Sequence, residues 1–344
     1  MSLIEKLQSA GSIGSEILSQ SNFFKPKSTI TTQVPIINAA FTGSLKGGVV
    51  SGLTVIAGPS KHFKTMLGLI AIKAYMDKYK DAVCIFYDSE FGVTPDYLKA
   101  NGIDGDRVLH VPVIHVEQLK FDMVKKLQEI SKGDHVIIFV DSLGNLASKK
   151  EVEDAENEKS VADMSRAKAI KSLFRIITPH FTIKDIPCLV VNHVYEEQGM
   201  FAKTIVSGGT GVTYSANTVW IVGRSQEKDG TDLLGYKFTI NIEKSRFVKE
   251  KSKLAFVVSF KEGINIYSGL LDLAEILGWV KKPSKGWYSR VDVTTGEIED
   301  KKFREADTNS KEFWEPMLNN KAFHEAVERK YQLSTVSMYQ EGEE

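Results

Sequence analysis

Gly58-Pro59-Ser60-Lys61-His62-Phe63-Lys64-Thr65 ends on a lysine followed by a hydroxyl, and opens on a glycine. Such a loop presents backbone N–H groups and a helix N-terminus to phosphate oxygens. Lys64 would reach terminal phosphates and the Thr65 hydroxyl would ligate Mg²⁺. The pattern is that of a nucleotide phosphate loop with one departure, because glycine usually stands where this chain has Phe63. Phe63 is expected in right-handed helical backbone with its ring turned away from the phosphates. A positive φ there, or a ring filling the phosphate site, would break this reading. The plain alternative is an ordinary strand–helix loop.

Three further residues could share that chemistry. The apolar run 136–140 delivers Asp141, followed by Ser142, to a strand end, where a carboxylate can hold Mg²⁺ through water. Phe86-Tyr87-Asp88-Ser89-Glu90 ends a second apolar run, and Glu90 is the candidate to polarise an attacking water. Val190-Val191-Asn192-His193 ends a third, which makes His193 a candidate contact for a terminal phosphate. A solvated loop glutamate and a packed histidine are the unremarkable readings of Glu90 and His193.

Alternating strands and helices must position these residues. Strands are expected at 52–57, 82–87, 108–111, 136–140, 188–191, 218–222, 238–242 and 255–260, and helices at 64–79, 116–130 and 161–177. Several runs are apolar throughout, as strands buried on both faces are. The fold class is therefore α/β: a mostly parallel twisted sheet with helices on both faces, extended by antiparallel strands at the end. Residues 1–28 carry helical spacing (Leu3, Ile4, Leu7, Ile13, Ile17, Leu18) and then Phe23-Phe24 and a linker. Residues 29–267 form the core. Residues 268–344 read as a small α+β lobe with helices at 270–280 and 312–331, a small sheet near 287–293 and a short acidic tail.

The chain has 344 residues and a formal net charge of zero, which alone speaks mildly against a nucleic-acid binder. No apolar stretch is long enough to span a bilayer, and the N-terminus lacks the apolar core of a secretory signal. Cys84 and Cys188 sit in apolar runs and are expected as buried thiols in a reducing compartment.

Taken together, the phosphate loop, the 86–92 and 141–150 motifs, Glu243-Lys244-Ser245-Arg246 and Gly286-Trp287-Tyr288 resemble RecA-type recombinases, in particular those of T-even bacteriophages. The resemblance covers nearly the whole chain and includes the Phe63 departure. It implies a RecA-like ATPase core with an N-terminal oligomerisation arm, and a DNA-dependent ATPase that forms helical filaments on single-stranded DNA and pairs it with a homologous duplex. It implies ATP and Mg²⁺ as cofactors, Glu90 as the catalytic glutamate, Tyr97 as the residue stacking on adenine, and His193 where the family has a glutamine that contacts the γ-phosphate. Lys244 and Arg246 match cations that reach a neighbour's ATP across the filament interface. Two DNA-binding loops are implied. The first, at about 149–165, carries Lys149 and Lys150 before a run of acidic residues, and Arg166 matches an arginine of the family's DNA site. The second, at about 194–214, carries Lys203, Gly208, Gly209, Thr210, Gly211 and Tyr214. A single-strand-binding protein and a loading mediator are implied partners, and the infected host's cytoplasm the implied location. The rival readings are a ring-forming helicase on the same ATPase core and a non-catalytic recombinase paralogue.

Overall fold

The computed structural model describes residues 2–11, 13–21, 29–157, 165–197, 204–292 and 294–333. Its centre is a nine-stranded sheet. The first five strands are β1 (Gly52–Ala57), β2 (Val83–Asp88), β3 (Val108–Pro112), β4 (Val136–Asp141) and β5 (Pro187–Asn192). A short antiparallel hairpin, β6 (Val194–Glu196) and β7 (Thr204–Val206), forms its own two-stranded sheet. The chain then re-enters the large sheet as β8 (Thr218–Asp229), β9 (Asp232–Ser245), β10 (Lys253–Ser259) and β11 (Gly263–Ile264). The strand order is β11-β10-β9-β8-β1-β5-β4-β2-β3. Pairings from β8 through β1 to β3 are parallel, and those from β8 out to β11 are antiparallel. Every residue of β1, β4 and β5 is buried, so both sheet faces are covered.

The helices are α1 (Leu3–Ala10), α2 (Pro35–Thr42), α3 (Lys64–Lys78), α4 (Pro95–Ala100), α5 (Val116–Glu129), α6 (Lys149–Glu156), α7 (Ser165–Ile183), α8 (Thr210–Ser215), α9 (Leu270–Ile276), α10 (Lys311–Leu318) and α11 (Lys321–Tyr331). One apolar cluster joins α2 and α3 to one sheet face, and the other joins α5, α7 and α8 to the opposite face. Gly68 sets the approach of α3 to the sheet. A Cβ there would lie 2.3 Å from the Phe139 ring, so only glycine lets the helix that begins at Lys64 lie this close to β4.

Several boundaries differ from the sequence reading. The 149–165 segment is not all loop, because Ser148 caps α6 in a reciprocal arrangement with Glu151. The 194–214 segment contains the β6–β7 hairpin and α8. The helix expected over 270–280 stops at Ile276, and Val280 opens β12 (Val280–Ser284). That strand pairs with β13 (Trp287–Arg290), and β13 with β14 (Phe303–Arg304). The helix expected over 312–331 is two helices, because Asn320 caps α11 through its side chain. Apolar residues of this C-terminal segment, including Leu270, Trp279, Phe313, Trp314 and Phe323, join the cluster that holds Ile36, Phe41 and Trp220. Among the described residues of 1–22, helix is confined to α1 and a short turn at Leu18–Gln20, and Phe23 and Phe24 lie outside the described residues. Cys84 and Cys188 are buried free thiols, and burial pushes Cys84 up to about 12. Among the described residues no helix is long and apolar enough to cross a membrane.

Candidate functional site

The C-terminal ends of β1, β2, β4 and β5 lie side by side, with Ala57 level with Asn192, and Asp88 level with Asp141. The residues that follow these ends therefore meet at one edge of the sheet. Lys61 and Phe63 are both left-handed, at φ 62° and 61°, and flank His62. This contradicts the expectation for Phe63, and with it the criterion that a positive φ there would break the phosphate-loop reading. A left-handed residue turns successive N–H groups toward one point, which is how a backbone nest for an anion is built. Positive φ is thus what a phosphate loop asks for at this position, and glycine is only its easiest supplier. Holding Phe there costs about 1–3 kcal/mol. Its ring packs on Phe238 and Phe256, at 5.0 and 5.7 Å, and each such pair returns about 0.5–1.5 kcal/mol. The ring points into the core cluster and away from the loop, as expected.

Lys64 is buried and its Nζ donates to Pro59 O at 2.7 Å. Burial lowers its pKa, against the opposing fields of Glu90 and Asp141. Gly58 leaves the end of β1 beside Val222 O, only 2.9 Å from where a Cβ would stand. Arg224 on β8 donates to Lys61 O at 3.1 Å while its guanidinium lies over the Tyr236 ring. This tie between the loop and the antiparallel extension was not legible in the sequence, because nothing links residue 224 to residue 61 before the sheet is assembled.

Thr65 Oγ1 donates to Asp141 Oδ2 at 2.6 Å. The other carboxylate oxygen, Asp141 Oδ1, is buried with no hydrogen-bond partner among the described residues. Burial pushes the Asp141 carboxyl up to about 7, and Glu90 and Asp88 add to this, while the Thr65 hydrogen bond and Lys64 oppose it. A hydroxyl beside a half-satisfied carboxylate is a hard-oxygen pair suited to Mg²⁺.

Glu90 sits on a loop sewn to the end of β4. Ser89 N donates to Asp141 O, Ser89 Oγ donates to Ser142 O, and Ser142 N donates to Ser89 Oγ. Buried Asp88 accepts from the N–H groups of Glu90 and Phe91, and its other oxygen lies 3.0 Å from His110 Nε2. Glu90 Oε1 is 3.4 Å from His193 Nε2. Tyr97, half-exposed on α4, donates its hydroxyl to the sulfur of Met66, the residue after Thr65. The structure therefore brings Lys64, Thr65, Glu90, Tyr97, Asp141 and His193 to one edge.

The remaining candidates lie elsewhere. Arg246 lines a cavity of about 810 Å³ with Ser51, His135 and Pro187, which stand just before or at the N-terminal ends of β1, β4 and β5. That is the opposite edge of the sheet, separated from the phosphate loop by the length of β1, roughly 20 Å for six residues. Two residues before it, Lys244 Nζ donates to Thr213 O and Tyr214 O at the C-terminal turn of α8. Tyr214 thus belongs with Lys244, and it is 75% exposed. Gly208 and Gly209 have positive φ and precede α8, which Thr210 begins, while Gly211 is buried against Lys171. Ser207 joins this segment to His193, since Ser207 N donates to His193 O and Asn192 Nδ2 donates to Ser207 O. Lys149 and Lys150 are exposed at the start of α6, where Lys149 pairs with Glu153. Arg166 donates to the carbonyls of Leu143, Gly144 and Leu146, so its guanidinium braces the segment after β4. Lys203 lies outside the described residues. Leu3, Ile4 and Leu7 of α1 are all exposed.

A family model described as the RecA N-terminal domain matches residues 1–265. One described as the C-terminal domain of the bacteriophage T4 recombination and repair protein matches residues 267–327. The recombination and repair protein of Enterobacteria phage T4 is 54% identical over 323 residues, covering 93% of this chain and 83% of that protein. Protein RecA of Kineococcus radiotolerans is 26% identical over 266 residues, 74% of each chain. Protein RecA of Bacteroides thetaiotaomicron is 28% identical over 258 residues, 74% of this chain and 76% of its own.

Proposed function

Because the chain belongs to the RecA family, we propose that the edge around Lys64 binds and hydrolyses ATP at the seam between two copies, and so drives a filament on single-stranded DNA. The protein is a recombinase of recombination and repair. The observation that carries the ATPase reading is the Thr65–Asp141 pair, with one carboxylate oxygen taken by the hydroxyl and the other buried without a partner among the described residues.

The phosphates lie in the nest formed around Lys61 and Phe63, and Lys64 exchanges Pro59 O for a phosphate oxygen. Thr65 and Asp141 would hold Mg²⁺, which would offset phosphate charge. Glu90 accepts the proton of the attacking water, and the Ser89 and Asp88 hydrogen bonds fix its loop for that task. Tyr97 covers the base. His193 contacts the γ-phosphate and passes its presence through Ser207 to the glycines at 208–209 and to α8. Those glycines, with Lys149, Lys150, Lys203 and Thr210, face DNA phosphates, which makes binding salt-dependent and nearly independent of sequence.

Lys244 and Arg246 stand at the edge opposite the phosphate loop, so they serve the ATP of the next copy, as charge-stabilising cations supplied in trans do. The exposed stripe of α1 docks on an adjoining copy. A single-strand-binding protein and a loading mediator are the further partners of this reading, and the cytoplasm of an infected host its location.

A mixing assay tests it. Lys64→Ala and Arg246→Ala variants are each expected to lose DNA-stimulated ATP turnover, and their mixture to regain part of it at seams that join one intact surface from each. Failure of the mixture to exceed either variant alone excludes a shared site.

A further inference from the structure

Gly144 and Asn145 both stand against the His193 ring. Both leave β4 a few positions after Asp141. His193 Nε2 lies 3.2 Å from Asn145 Oδ1, 3.4 Å from Glu90 Oε1 and 3.5 Å from Ser142 Oγ. Burial, with Lys64 nearby, holds the imidazole below its ordinary pKa, so near neutral pH it carries one ring N–H. One N–H serves one acceptor well, and Asn145 is the nearest of the three. Gly144 gives the ring its place, since a Cβ there would fall 2.1 Å from His193 Cδ2. Neither residue floats. The carbonyls of Leu143, Gly144 and Leu146 all accept from Arg166 on α7, so Asn145 stands on a braced shelf. The backbone of His193 is tied on the other side, to Asn192 Oδ1 through its N–H and to Ser207 N through its carbonyl.

We propose that Asn145 is a positioning residue that holds the His193 ring in its nucleotide-free orientation, with Gly144 as the space that permits it, so that a γ-phosphate must displace Asn145 before the 204–215 segment responds. The inference rests on the reading of His193 as the residue that couples nucleotide to DNA affinity. Asn145 then sets how much nucleotide is needed to move that equilibrium, because a contact made in only one of two states biases the population between them.

The test is binding of the full chain to a fluorescent oligonucleotide by anisotropy, without nucleotide and across a titration of a non-hydrolysable ATP analogue. Removing one neutral hydrogen bond from the resting state only should tighten nucleotide-free DNA binding roughly fivefold and lower the half-saturating analogue concentration by a similar factor. Asn145→Ala should show both changes, with DNA affinity at saturating analogue unchanged. Asn145→Asp, which restores an acceptor at the same place, should require at least as much analogue as the wild type. A loss of DNA affinity in Asn145→Ala at every analogue concentration indicates a merely structural role and overturns the proposal. His193→Ala separates the two layers. If analogue still drives DNA binding in His193→Ala, the coupling reading itself fails. If His193→Ala uncouples the two ligands while Asn145→Ala titrates like the wild type, the positioning role alone is overturned.

Discussion

Replacing Asp141 by Asn should make the nucleotide-free protein harder to melt while removing its response to Mg²⁺ and nucleotide. The carboxyl is buried, one oxygen has no partner, and burial pushes its pKa up to about 7 from an ordinary 3.8. The unfolded chain therefore ionises this group above about pH 4 and the folded chain only above about pH 7. Stability contributed by Asp141 is full below the lower value, falls as pH rises between the two, and stays low above the higher one. Three pKa units correspond to about 4 kcal/mol at pH 8, and the same linkage leaves about 2 kcal/mol at pH 5. An Asn side chain keeps the shape and carries no ionisation cost. With 344 residues and ~2.1 cal/mol/K of unfolding entropy per residue, 4 kcal/mol raises the Tm by roughly 5 °C. Differential scanning fluorimetry at pH 5 and pH 8 reads this directly. Adding Mg²⁺ and a non-hydrolysable ATP analogue at 100 times Kd should stabilise the wild type by ~2.7 kcal/mol and leave Asp141→Asn nearly unmoved. A variant that melts at or below the wild type at pH 8, or whose advantage is equal at both pH values, refutes the assignment of a strained carboxylate waiting for a cation.

Glu90→Gln should slow ATP turnover by about 10²–10⁴-fold while a fluorescent nucleotide binds as before, and unchanged turnover would remove Glu90 from catalysis. Phe63→Gly relieves the left-handed strain but gives up the stacking on Phe238 and Phe256, so thermal stability should fall by about 2 kcal/mol with nucleotide affinity held within about threefold. A tenfold loss of nucleotide affinity would mean that the ring, and not the backbone nest, shapes the site. Lys150→Ala should reduce the salt slope of oligonucleotide binding by about one, whereas Arg166→Lys should lower the Tm and leave that slope alone, because three carbonyls already hold the guanidinium.

The sheet was readable because its chemistry is local. A run such as 136–140 is apolar at every position, as a strand covered on both faces is, and the spacing from Gly58 to Thr65 depends on backbone geometry over eight residues. Phe63 was misjudged for the opposite reason. The residue type argues for negative φ, and the compensation comes from Phe238 and Phe256, which are distant in sequence and are brought near only by β9 and β10. The same holds for Arg224 on the Lys61 carbonyl, for His110 on Asp88 and for Asn145 against His193. Each joins segments that only strand order makes adjacent. The helices α6 and α8 were passed over as loops because acidic and glycine-rich stretches lack an apolar stripe, and their starts are set by Ser148 and by the φ of Gly209.

The two edges of the sheet suit the proposed seam to a row of copies. The phosphate loop follows the C-terminal end of β1, and Arg246 lies at the N-terminal edge of the same sheet, beside Ser51 at the foot of β1. A two-fold dimer that set like edges together would bring one triphosphate two phosphate loops or two arginines. A head-to-tail contact matches loop to arginine, and a row of copies built that way keeps an unmatched loop at one end and an unmatched arginine at the other. Such a contact propagates until a rotation closes it into a ring or a rise along the axis prevents closure. On the proposed seam site, ATP would stabilise the polymer over its parts by mass action, since the complete set of phosphate contacts would exist only with both copies present. Electron microscopy on single-stranded DNA with a non-hydrolysable ATP analogue decides between the two geometries: open helical filaments are expected, and closed rings of uniform size would move the chain to the ring-forming branch of the same ATPase fold.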